Sequence, residues 1–98
     1  MLKGYNYIKY PEDRLYLRVG NLLRELKYFA SKVGNLEAYG YLRTIELKVR
    51  PESPIEDVKE SEKRLISPDF LNQNCFRDLD RENMKPIIRE YKLRMINI

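Results

Sequence analysis

The sequence predicts an α+β fold, in which a small antiparallel or mixed sheet of about four strands carries helices on one face. Three observations lead to it: an alternating, tyrosine-rich start, a strongly capped central helix, and two later segments in which apolar residues alternate. The predicted order is β-β-α-β-α-β, with further short helices before the last strand. We expect residues 1–98 to form a single domain, since this length suits one hydrophobic core.

The first two predicted strands form a hairpin. Residues 4–10 and 14–19 both alternate between apolar and polar side chains, and Pro11-Glu12-Asp13 separates them. A proline-containing acidic turn between aromatic and β-branched runs is typical of a hairpin. The register depends on whether the loop holds three or four residues, and Tyr16 and Arg18 face outward in both cases.

The alternative for the same region is one helix over residues 11–33, because its leucines and valines also fit one helical face. The pair Gly20-Asn21 favours the hairpin. Glycine inside a helix costs about 1 kcal/mol, and Asn21 is a good N-cap for a shorter helix over residues 22–33. Gly34-Asn35 then ends that helix with a left-handed residue.

The third predicted strand covers residues 41–50 and ends at Pro51. Its inward residues alternate along the segment: Tyr41, Arg43, Ile45, Leu47 and Val49. After it, Ser53-Pro54-Ile55-Glu56 predicts a capping box with proline at the first helical position. An apolar stripe follows on that helix, formed by Ile55, Val58, Leu65 and Ile66.

The last part of the chain mixes short helices with a fourth strand. Asp69 is expected to cap a short helix that reaches Cys75, and residues 78–84 form another helical piece. Residues 87–98 alternate again and predict the last strand. That strand either lies inside the sheet or pairs with a second copy of the chain, which would give a homodimer.

The composition argues against catalysis. The chain has no histidine, a single cysteine and no glycine-rich loop, so we predict no catalytic residue, no metal and no cofactor. Asp78, Asp80 and Glu82 lack the glycine and distal glutamate of a calcium loop, and we interpret them as helix-capping residues. Cys75 has no activating histidine and is expected to be a small buried hydrophobe.

Charge is unevenly distributed. Residues 1–50 carry +5, residues 51–83 carry −4, and residues 84–98 carry +3. A basic front and tail around an acidic middle attract polyanions to one face, so DNA or RNA is the expected partner. The same asymmetry suits self-association of basic with acidic faces.

Tyrosines interleave with the basic residues of the front, and seven of the eight lie within the first 41 residues. Aromatic rings stack on bases while cations meet phosphates, which predicts nucleic-acid binding on the hairpin. The predicted contacts are Lys9, Tyr10, Arg14, Tyr16 and Arg18, with Lys92 and Arg94 as further phosphate contacts. The structural alternative is that these tyrosines are half-buried strand residues.

Two other functions remain open. One is a protein-interaction module, acting as a homodimer or as an inhibitor of a host protein through the acidic segment 52–62 or the last strand. The other is a metal-dependent nuclease, because Pro68-Asp69 followed by Glu90-Tyr91-Lys92 resembles the PD-(D/E)xK pattern. That chemistry requires Glu90 and Lys92 to share one strand face.

The expected location is intracellular. No apolar run approaches the roughly 20 residues that span a bilayer, and one cysteine makes no internal disulfide. Abundant charged residues and a single glutamine are typical of thermostable proteins.

The start Met1-Leu2-Lys3-Gly4-Tyr5-Asn6-Tyr7, the dense Tyr, Ile, Lys and Arg usage and the absence of histidine resemble small orphan proteins of archaeal filamentous viruses, the lipothrixvirus and rudivirus group. The resemblance is one of composition over the whole chain. It implies a stable protein made inside an infected host cell, often a homodimer, and it assigns no functional residue.

Overall fold

The computed structural model describes the backbone of residues 11–96 and the side chains of residues 15–95. Four α-helices make up most of this part: α1 (Pro11–Lys32), α2 (Leu36–Glu46), α3 (Ile55–Leu65) and α4 (Asp78–Ile96). A 3₁₀ turn, Phe70–Asn72, lies between α3 and α4. Residues 11–96 contain no strand, so the predicted α+β fold with a four-stranded sheet is wrong.

Helix α1 replaces the predicted second strand. Residues 14–19 and the expected turn at 11–13 all belong to this helix, as in the alternative over residues 11–33. Its buried residues recur every three or four positions: Leu15, Val19, Leu22, Leu23, Leu26 and Ala30. Burial of one leucine contributes about 1.5–3 kcal/mol, which outweighs the roughly 1 kcal/mol cost of Gly20. The first predicted strand, residues 4–10, lies outside the described residues.

The end of α1 confirms the predicted stop at Gly34-Asn35. Gly34 has a φ of 78°, in the left-handed region. The Asn35 N–H donates to the Ala30 carbonyl at 2.9 Å, and the Gly34 N–H donates to the Ser31 carbonyl at 3.1 Å. These bonds satisfy carbonyls that the last helical turn leaves open. Asn21, the predicted N-cap, instead lies inside α1 and is exposed.

The glycines inside α1 and α2 provide a test of this helical assignment. A Cβ added at Gly20 or at Gly40 meets no atom within 4 Å. Gly20→Ala and Gly40→Ala are therefore each expected to stabilise the protein by about 0.5–1 kcal/mol in urea unfolding. Gly34→Ala is the control and should destabilise it, because its φ is positive. Destabilisation by Gly20→Ala would contradict a continuous α1.

Helix α2 replaces most of the predicted third strand. Residues 41–46 are helical, and the segment buries Ala38, Leu42 and Ile45 at spacings of four and three. Two residues expected to face inward, Arg43 and Leu47, are exposed. The alternation in residues 41–50 is therefore coincidental.

Helix α3 confirms the predicted central helix, with a different cap. Pro54 occupies the N-cap position and makes no side-chain cap bond. The Ser53 hydroxyl instead accepts a hydrogen bond from the Arg50 N–H at 3.1 Å. The predicted apolar stripe faces the core: Val58 and Leu65 are buried, and Ile55 and Ile66 pack against them half-buried.

Helix α4 replaces the predicted last strand. The expected helical piece at residues 78–84 continues through Pro86 to Ile96, so the strand predicted over residues 87–98 is wrong for its described part. Met84, Ile88 and Tyr91 are buried at helical spacing, and Pro86 is exposed. The short helix expected from Asp69 to Cys75 is reduced to the turn at Phe70–Asn72.

The core lies around α1, which contacts α2, α3 and α4. Three aromatic rings pack together at the edge of the core beside α2. The ring centroids of Tyr41, Phe70 and Phe76 are 5.2–6.1 Å apart. None of the helices in residues 11–96 is long and apolar enough to cross a bilayer.

Candidate functional site

A buried polar cluster joins the start of α2 to the start of α4. The Asn35 amide donates to the Cys75 carbonyl at 3.0 Å and to the Asp80 carboxylate, and its oxygen accepts from the Ala38 N–H at 3.1 Å. Asp80 also accepts from the Arg77 N–H at 3.3 Å. Asn35 and Asp80 are 1% and 2% exposed, which leaves no room for a ligand. The cluster is structural.

A second polar cluster joins α1, α3 and α4. The Tyr91 hydroxyl donates to the Glu62 carboxylate, and Arg18 donates to both partners at 3.3 Å. Burial, followed by the bond to Glu62, raises the pKa of Tyr91 far above its ordinary value of 10. Burial lowers the pKa of Arg18, but its bonds to Tyr91 and Glu62 outweigh burial and raise it overall. Because Tyr91 is neutral and Arg18 is permanently charged, the cluster has a structural role and holds α1, α3 and α4 together.

Replacement of Tyr91 by phenylalanine should cost about 1–3 kcal/mol at pH 7, because one hydrogen bond to a carboxylate is lost. The pKa of Tyr91 is raised by folding, so its contribution is fully present below pH 10. Above pH 10 the unfolded chain releases this proton first, and the contribution falls. The free energy of unfolding is measured with urea from pH 7 to 10.5. The difference in this free energy between wild type and Tyr91→Phe should decrease only at the top of the range.

The control for this variant is Tyr28→Phe, because Tyr28 is 67% exposed and makes no hydrogen bond to Glu62. It should change the free energy of unfolding at pH 7 by less than about 0.5 kcal/mol. A gap between wild type and Tyr91→Phe that stays constant up to pH 10.5 would contradict the raised pKa.

Among the described residues, a groove lies between α4 and the segment 66–72, and we call it the cationic groove. Its volume is about 290 Å³. One wall carries four cations spaced along α4: Arg81, Lys85, Arg89 and Lys92. Residues three, four and seven apart lie on one helical face, so these side chains form a row. None of the described residues that line the groove is acidic.

The floor of the cationic groove is aliphatic. It is formed by Ile66, Pro68, Leu71 and Ile88, and Ser67 and Asn72 complete the lining. Leu71 and Ile88 belong to the hydrophobic core, Ile66 packs against it, and Pro68 is exposed. A ligand with both anionic and apolar parts matches this combination of wall and floor.

Arg81 fixes the shape of the groove. Its guanidinium donates to the Leu71 carbonyl at 2.6 Å and to the Gln73 carbonyl at 3.4 Å, and it pairs with Asp78 at 2.8 Å. These bonds tie the loop after α3 to the first turns of α4. Arg81 therefore has mainly a structural role, and Lys85, Arg89 and Lys92 are the exposed cations.

The three exposed cations are available to a ligand. Lys85 pairs with Glu82 at 3.2 Å, but both side chains are more than half exposed, so the pair contributes little. Within the described part of the chain, neither Arg89 nor Lys92 makes a side-chain hydrogen bond or an ion pair. An anion that binds these three side chains therefore replaces only the weak Lys85–Glu82 ion pair.

Of the predicted hairpin contacts, only Tyr16 and Arg18 have described side chains, and they lie about 200° apart around the axis of α1. Tyr16 is half-buried against the core, and Arg18 is engaged with Glu62 and Tyr91. Lys9 and Tyr10 and the side chain of Arg14 lie outside the described residues. The hairpin that was expected to align Tyr16 with Arg18 does not exist, since both residues belong to α1.

The two contact residues predicted near the C-terminus lie on different parts of the surface. Lys92 lines the cationic groove, whereas Arg94 pairs with Glu90 at 3.6 Å outside it. Sequence reasoning missed Arg81, Lys85 and Arg89. Their spacing of four residues was a usable signal, but it has meaning only when residues 78–96 are interpreted as one helix.

The residues of the nuclease pattern are also separated. Glu90 and Lys92 lie two positions apart on a helix, about 200° around its axis, so the shared strand face is absent. In the described part of the chain, no group of three or more His, Cys, Asp or Glu residues is placed to hold a metal ion. Cys75 is half-buried, and burial raises the pKa of its thiol, which disfavours the reactive thiolate.

The described residues thus define a four-helix protein with one cationic groove on its last helix. Comparisons with family models, curated proteins and solved structures find no match to the chain. The resemblance to archaeal viral proteins stays a prediction.

Proposed function

We propose that this chain is a non-enzymatic nucleic-acid-binding module and that the cationic groove is its contact surface. The observation that carries the proposal is the row of four cations on one face of α4, with no acidic residue among the described lining residues. Lysine and arginine side chains make most of the phosphate contacts in protein–nucleic-acid complexes.

The length of the row suits a phosphate backbone. From Arg81 to Lys92 the helix rises about 16 Å, at 1.5 Å per residue. Measured along the axis of a duplex, each strand carries a phosphate about every 3.4 Å, so the row is as long as about five of these spacings.

An acidic protein is a less suitable partner for the same groove. Lysine is depleted in protein–protein interfaces, yet two of the four cations here are lysines. The row carries one sign of charge at regular spacing, which corresponds to a polymer of evenly spaced anions. The net charge of +3 on residues 84–98 adds a long-range attraction for such a polymer.

A salt titration tests the proposal. Fluorescence anisotropy with a labelled 20-nucleotide DNA should show binding near 50 mM salt. Phosphate contacts from the three exposed cations predict that log K falls with log salt at a slope of about −2 to −3. Absence of binding at 50 mM salt, or a slope near zero, would overturn the proposal.

Competition identifies the class of partner. Polyglutamate, matched in total charge to the DNA, should displace the probe poorly. Equal displacement by polyglutamate would instead assign the groove to an acidic protein segment and would also overturn the proposal.

A further inference from the structure

Resting on the proposed function, we infer that the cationic groove binds single-stranded nucleic acid, with an unpaired base on its aliphatic floor and phosphates along the α4 row. The inference deepens the proposed function by naming the form of nucleic acid. It depends on the floor, which a purely electrostatic contact does not use.

The floor is an apolar surface directly beside the cations. Ile88 lies between Lys85 and Arg89 in the sequence of the row, so the apolar and charged surfaces are continuous. Ile66 and Pro68, from the segment after α3, belong to the same aliphatic floor. Phosphates bound to the cations of α4 therefore lie within one side-chain length of the aliphatic floor. Burial of the apolar face of a base on this floor is favourable.

The size of the groove points to one nucleotide unit at a time. A volume of about 290 Å³ is at the lower limit of small-ligand sites. In a duplex the bases are paired and stacked, and extruding one of them costs free energy. A duplex would meet the cations with its phosphates and leave the floor uncovered, whereas the unstacked bases of a single strand can reach it.

The experiment compares four probes of equal phosphate number at one salt concentration. Three are single strands of equal length: thymidines, uridines, and an abasic strand that keeps the phosphates but lacks bases. The fourth is a duplex of half that length, so that its two strands together carry the same number of phosphates. We expect both single strands to bind about tenfold more tightly than the abasic strand, as follows from burial of about 50 Å² of apolar base surface on the aliphatic floor at about 25 cal/mol per Å². The duplex should bind less tightly than the thymidine and uridine strands, because its paired bases leave the floor uncovered.

Paired variants locate the base on the floor. Ile66 and Ile55 are half-buried isoleucines at the two ends of α3, and only Ile66 lines the groove. Ile66→Ala should lower the ratio of single-strand to abasic affinity by about threefold, as expected when part of the apolar surface under the base is removed. Ile55→Ala should leave that ratio unchanged.

The possible results separate this inference from the proposed function. Equal affinity for abasic and thymidine strands, or a preference for the duplex, overturns the inference while the proposed function stands. Absence of binding to all four probes overturns both. Because the probe comparison uses the wild-type chain, it decides the inference even if an isoleucine variant fails to fold.

Discussion

Asn35→Ala is expected to destabilise the protein by about 3–5 kcal/mol, the largest single-residue effect that the polar contacts predict. The substitution removes the cap of α2, where the Asn35 oxygen accepts from the Ala38 N–H. It also leaves the Cys75 carbonyl and the Asp80 carboxylate without the amide that serves both. A cap contributes about 1 kcal/mol, and each buried group left without its partner costs about 1–3 kcal/mol.

The carboxylate is the most sensitive of these groups. Asp80 is 2% exposed, and no lysine or arginine side chain bonds to it among the described residues. A buried charge depends on its hydrogen-bond donors, so loss of the Asn35 amide leaves Asp80 with the Arg77 N–H at 3.3 Å.

Urea unfolding of two further variants makes the test specific. Asn35→Asp keeps an oxygen that can cap α2, but it sets a second carboxylate against Asp80 and should also lose several kcal/mol. Asn21→Ala removes an exposed asparagine from α1 and should change stability by less than about 0.5 kcal/mol. A loss of only 1 kcal/mol for Asn35→Ala would show that the cap alone matters.

Sequence reasoning located helix ends better than it identified the elements themselves. The stop at Gly34 and the start near Pro54 depend on local backbone chemistry, and both positions were correct, although the predicted Ser53–Glu56 capping box does not form. Strand and helix were confused in residues 14–19, 41–50 and 87–96, where apolar side chains fit both periods over a short window. In α1, for example, Leu15 and Val19 are buried while Leu17 between them is 52% exposed.

One residue, Gly20, had too much influence on the predicted fold, because it favoured a break inside α1. Its local cost is about 1 kcal/mol, smaller than the burial of the apolar face that passes through it. Pro86 inside α4 has a local cost of about 3 kcal/mol, which burial of Met84, Ile88 and Tyr91 likewise exceeds. Tertiary packing therefore overrides both, and it is visible only when the helices are assembled.

The candidate site was predicted only in part for the same reason. Lys92 was selected from the basic C-terminal charge alone, and that charge does contribute to the groove. The tyrosines of the front suggested an aromatic surface, but Tyr16, Tyr39 and Tyr41 pack against the core. The floor comes from the segment after α3, whose proximity to α4 depends on the contacts of Arg81 with the Leu71 and Gln73 carbonyls.

Neutralising the exposed part of the row should reduce nucleic-acid affinity by about two to three orders of magnitude at 0.1 M salt. Each phosphate contact contributes about 0.7–0.9 logarithmic units there, and the triple variant Lys85→Gln, Arg89→Gln, Lys92→Gln removes three contacts. The slope of log K against log salt should become shallower by about 2–3. Anisotropy titrations with the single strand measure both quantities.

The matched control is the triple variant Arg43→Gln, Lys48→Gln, Lys59→Gln. It removes the same charge from three exposed residues that do not line the groove. Long-range attraction falls equally in both triple variants, so the difference between them isolates contacts made in the groove. Neither set includes a buried residue or Arg81, so both variants should fold. Equal losses of affinity would show that net charge alone governs binding, because α4 would then contribute no more than any other basic surface.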